Sequence, residues 1–100
     1  MQTLNQTPAQ IEQARRTRLI TNTVRRSWCF EQCFKDRRLD GSRRIKFRMK
    51  KDRSIPAPLK HQVLEAVRVE LSKYEWVDEI SWDQSSSSAG LHDYLKVVVH

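Results

Sequence analysis

The sequence predicts a two-layer α+β domain in the order α-β-α-β-β, with helices packed on one face of a small three-stranded mixed sheet. Three observations carry that expectation. Apolar residues recur at helical spacing in two stretches, they alternate with cations in a third, and β-branched and aromatic residues gather in two runs near the C-terminus. At 100 residues the chain has the size of one domain, read as a flexible N-terminus over 1–6 and a single α+β domain over 7–100.

Thr7-Pro8-Ala9-Gln10 signals the first helix. Thr7 can cap, Pro8 suits the first helical position, and Gln10 completes a capping-box spacing. Ile20, Val24 and Trp28 then fall on one face. In SWCFEQCF, residues 27–34, apolar side chains point around most of a helix, and the helix is expected to run on to about residue 38. Asp40-Gly41-Ser42 closes it with a turn.

RRIKFRMKK, residues 43–51, alternates and reads as strand one, with Ile45, Phe47 and Met49 toward the core. Ile55-Pro56-Ala57-Pro58 introduces a second helix with a stripe of Val63, Leu64, Val67, Leu71 and Tyr74. WVDEISWD is strand two, with Trp76, Ile80 and Trp82 on one face. DQSSSSAG is a polar loop, and DYLKVVVH is strand three. A right-handed crossover through the second helix would make strands one and two parallel, with strand three hairpinning back beside strand two, in a position that could lie between the other two. An edge of so narrow a sheet could pair with a second copy, giving a homodimer.

Charge is the strongest functional signal. Residues 15–53 hold 15 of the 19 Lys and Arg against only Glu31, Asp36, Asp40 and Asp52. An excess of that density attracts polyanions over roughly 8 Å at physiological salt. Two patches are expected to contact phosphates: a helix stripe of Arg15, Arg16, Arg18, Arg25 and Arg26, and a strand row of Arg44, Lys46, Arg48 and Lys50. Gln13, Thr21 and Asn22 accompany the stripe as polar contacts, and no acid stands at i+4 to these arginines to relieve their repulsion. Against the strand row stands the bland reading, in which Glu79 and Asp83 neutralise part of it across the sheet.

The expected function is a small basic nucleic-acid-binding protein, for RNA or duplex DNA, that is not an enzyme. The alternative is a protein-interaction module or small inhibitor that docks on an acidic partner through Trp28, Phe30 and Phe34. A small ribonuclease using His92, Asp93 and Tyr94 ranks below both, because no motif supports it. Cys29 and Cys33 lack two further ligands at metal spacing, so no metal or cofactor is expected. Two cysteines fit a cytoplasmic or other reducing compartment. MQTLNQTPAQ has neither the positive leader nor the apolar stretch of a secretion signal, and no run is long enough to span a membrane.

Overall fold

Thr7 caps the first helix as its spacing predicts. Its hydroxyl accepts from the Gln10 N–H at 3.1 Å, and the Gln10 side chain accepts from the Thr7 N–H at 2.9 Å. The computed structural model describes residues 6–28, 30, 32–48, 55–87 and 90–100, and the chain runs α1 (Pro8–Ser27), β1 (Gln32–Arg37), β2 (Arg43–Arg48), α2 (Ala57–Leu71), β3 (Val77–Ser87) and β4 (Gly90–Val99). Met49, Lys50 and Cys29, and residues 1–5 of the N-terminal stretch expected to be flexible, lie outside the described residues.

The α+β class holds, but the sheet is larger than expected. It has four strands in the order β1-β2-β4-β3, and every neighbouring pair is antiparallel. The extra strand is β1, in a stretch read from sequence as helix. At Trp28 the backbone turns extended (φ −157°, ψ 139°) and α1 stops. The apolar residues that pointed around a helix do so because the stretch is no helix. Cys33 sits opposite Phe47, and Arg37 opposite Arg43, in a hairpin closed by the Asp40-Gly41 turn.

The expected strands one and two, β2 and β3, do run in the same direction, with the third strand, β4, in the position between them. Both pair antiparallel with β4, so the sheet is not mixed. The stretch read as a polar loop is mostly strand, since β3 continues through Ser87 and β4 begins at Gly90. The edges are β1 and β3.

Both helices cover one sheet face. Ile20, Val24 and Trp28 of the α1 side meet Val63, Val67 and Leu71 of α2 above Ile45, Phe47, Ile80, Leu95, Val97 and Val99. Truncating one of these fully buried leucines or isoleucines costs about 2–5 kcal/mol in comparable cores. A polar anchor pins the start of α2 to the sheet: Asp93, its side chain 1% exposed, accepts from the Ile55 N–H at 2.8 Å and pairs with Lys60 at 3.0 Å. The Trp82 indole N–H donates to the Lys60 carbonyl at 2.8 Å, closing the same corner.

Candidate nucleic-acid interface

The five arginines of the α1 stripe have different surroundings. Glu12 takes two of them. Arg15 grips its carboxylate with two nitrogens at 2.7 and 2.9 Å, and Arg16 adds a third bond at 2.9 Å. These hydrogen bonds hold the Glu12 carboxyl down at about 2. Against the expectation that no acid relieves the stripe, Glu12 stands three and four residues before its partners, at helical spacing. Arg16 also lies 5.0 Å from the Trp76 ring and donates to the His100 carbonyl at 2.9 Å, tying α1 to the end of the sheet.

Arg18, Arg25 and Arg26 are exposed and make no ion pair among the described residues. Arg26 reaches Thr23 at 3.4 Å, and Arg25 lies 5.5 Å from the Phe30 ring. Arg18 and Arg25 line an open groove of about 550 Å³ between α1 and the β1–β2 hairpin. Its opposite wall carries Lys35 and Arg43, and its polar lining includes Gln10, Gln13, Thr17, Thr21 and Asn22. No carboxylate is among the described residues that line it.

Arg43 is the unusual member. Strand alternation puts it on the same face as Ile45 and Phe47, so its stem is directed under α1. One guanidinium nitrogen donates to the Thr17 hydroxyl at 3.0 Å, while the other is buried with no partner. Burial, and then the charges of Arg37 and Arg16, pull this guanidinium below its usual value. The groove is thus an electropositive concavity, with the unpartnered Arg43 nitrogen buried behind its wall.

The strand row lies on the other side of the sheet. Arg44, Lys46 and Arg48 project from the face that no helix covers, so the two patches do not join into one surface. Carboxylates already meet the row. Arg44 pairs with Asp36 at 2.7 Å, Lys46 with Asp83 at 3.3 Å, and the neighbouring Lys96 with Glu79 at 3.2 Å. Hydrogen bonds from Arg44 hold Asp36 below the usual carboxylate range, and bonds from Ser81 and Lys96 do the same for Glu79. Arg48 contacts the His92 ring at 3.2 Å, and both Lys46 and Arg48 lie near the Tyr94 ring.

Among the aromatic anchors, Trp28 is only 6% exposed, packed edge-on against Trp82 at 5.2 Å. Phe30 is half-buried against Phe47 at 4.7 Å, and the Phe34 side chain lies outside what is described. His92, Asp93 and Tyr94 do not converge. His92 and Tyr94 face the uncovered side, whereas Asp93 points into the helix-covered corner. Cys33 is half-buried, and burial pushes its thiol up. Among the described residues, no group of three His, Cys, Asp or Glu side chains could hold a metal ion, and no helix is long and apolar enough to cross a membrane.

Sequence reasoning missed Lys35 and Arg43. Lys35 was hidden by the helix reading of its segment. Arg43 was legible from parity, because two residues before Ile45 on a strand means the same face. Comparison with protein-family models, curated proteins and solved structures finds no match to this chain.

Proposed function

We propose that the protein binds nucleic acid through the groove between α1 and the β1–β2 hairpin, with Arg18, Arg25, Lys35 and Arg43 gripping phosphates. One observation carries the reading. Arg43 is a partly buried guanidinium that has no ion pair with a carboxylate among the described residues and one buried nitrogen unpartnered. Such a charge destabilises a fold unless an anion meets it, and here a phosphate in the groove would meet the accessible part of the guanidinium, while the buried nitrogen stays out of its reach. Phosphate suits the planar fork of arginine. Gln13, Thr21 and Asn22 supply donors and acceptors for sugars or bases within the same groove.

Arg26 adds positive charge to the same helix, whereas Arg15 is taken by Glu12. Arg44, Lys46 and Arg48 act on the far face, where Asp36, Asp83 and Glu79 temper them. Binding without catalysis is the reading. The rival in which an acidic partner protein docks on exposed aromatics loses force with Trp28 in the core.

Fluorescence anisotropy with a short labelled duplex across a salt series tests the proposal. Affinity should fall with a log–log slope of about −0.9 per phosphate contact. Replacing Arg18 and Lys35 together by alanine should reduce the size of that slope by about 2. The paired substitution Arg44→Ala with Lys46→Ala should leave it nearly unchanged. No binding at ~50 mM salt would remove the proposal.

A further inference from the structure

The turn that joins β1 to β2 carries a leucine that the fold does not use. Leu39 is fully exposed, at 109%. Arg43 still pairs with Val99, the last residue of β4, so residues 38–42 extend past the sheet. The turn is held firmly. The Arg38 N–H donates to the Ser42 carbonyl at 2.8 Å and the Gly41 N–H to the Arg38 carbonyl at 3.0 Å. Gly41 takes a positive φ of 90°. Asp40 is turned back on Ser42, accepting from its N–H at 2.9 Å and its hydroxyl at 2.6 Å. Beside Leu39 the tip carries Arg37, Arg38, Asp40 and Arg44, with Asp40 turned in on Ser42 and Arg44 paired with Asp36, which leaves Arg37 and Arg38 as its outward cations.

We infer that this hairpin tip is a wedge for duplex DNA, in which Leu39 enters a base step from the minor groove while Arg37 and Arg38 hold the flanking phosphates. The inference rests on the groove reading, because Arg37 sits opposite Arg43 and its charge acts on that residue, joining tip and groove into one basic strip. A lone exposed leucine needs no explanation in general; a leucine at a firmly held tip beside Arg37 and Arg38 does. The surroundings decide among partners. A protein interface centred on this tip would rest on one leucine, a residue under-represented among interface hot spots. One leucine gives little hold on a membrane, where anchoring takes a broad apolar face. Minor-groove binders combine inserted apolar side chains with arginines, because unstacking a step is offset by the phosphate contacts that the bend allows.

The test uses the full chain and a DNA duplex carrying a fluorescent adenine analogue at a central TpA step. Wild-type protein should raise its emission, the mark of unstacking, and draw end-attached dyes closer. Leu39→Ala should abolish both signals and weaken binding about tenfold, a loss of about 1.4 kcal/mol. The salt slope should stay unchanged, since no phosphate contact is lost. Leu39→Met should retain the emission change. Duplex binding that is identical in Leu39→Ala, with no unstacking in either protein, would overturn the wedge and leave the groove standing. Absence of any nucleic-acid binding would overturn both. Leu39-dependent attachment to anionic vesicles without duplex binding would overturn the wedge in favour of a lipid surface.

Discussion

Arg43 sets folding and binding against each other at a single side chain. Its stem helps cover the core, but its head is desolvated without a carboxylate and one donor is unmatched. Methionine would fill a similar volume on the same strand face with no charge to desolvate. Arg43→Met is therefore expected to stabilise the fold by about 1 kcal/mol, even after losing the bond to Thr17. The same change should weaken nucleic-acid binding and shrink its salt slope by about 1. Urea denaturation and anisotropy on the same protein check the two signs together. If Arg43→Met lowers stability, the residue serves the fold and the argument for an external anion fails. Gains of this kind are common where a functional residue is retained at a cost to stability.

At the scale of elements, the helices were legible and the first strand was not. Thr7 and Gln10 mark the start of α1, and Ile20 and Val24 repeat at the helical period, so local chemistry and packing agree there. In α2, Val63, Val67 and Leu71 do the same. Between Ser27 and Arg37 no glycine or proline marks a stop. The end of α1 is instead decided by pairing with β2, a non-local contact that a local pattern cannot register. The basic row was correctly placed on a strand. Its neutralisation by Asp36 depended on that missed strand, whereas pairing by Glu79 and Asp83 could be weighed from sequence. The hairpin itself gives a test. Gly41 has open space around its Cα, so an added methyl meets nothing, yet its φ of 90° disfavours any L side chain. Gly41→Ala should cost about 1 kcal/mol through the backbone alone. Amide exchange should show the loss as faster opening of β1 and β2, with α2 little affected. Uniformly faster exchange across the molecule would mean that the hairpin does not open as a separate unit.

Across the whole molecule, the two faces of the sheet divide the charge between them. On the uncovered face Arg44, Lys46 and Lys96 meet carboxylates, and the α1 side leaves a basic groove. The corner that joins the layers depends on the buried Asp93. Burial alone would raise the Asp93 carboxyl, but the Ile55 N–H, Lys60 and the Gln84 amide outweigh it and hold it below the usual range. A carboxylate whose folded value is depressed contributes stability that is complete above its unfolded value, about 3.9 for aspartate. That contribution is lost as pH falls through the lower folded value. Glu12, Asp36 and Glu79 shift the same way, but they are exposed and contribute little. Stability should therefore hold from neutral pH down to about 4 and fall below it. Asp93→Asn should cost about 2 kcal/mol at neutral pH, because an amide is a weaker acceptor for Lys60 and brings a donor that the site cannot use. Urea midpoints at pH 7 and pH 3 should then lie closer together for the variant than for the wild type. Equal shifts in the two proteins would place the acid sensitivity elsewhere and leave Asp93 as a neutral packing group.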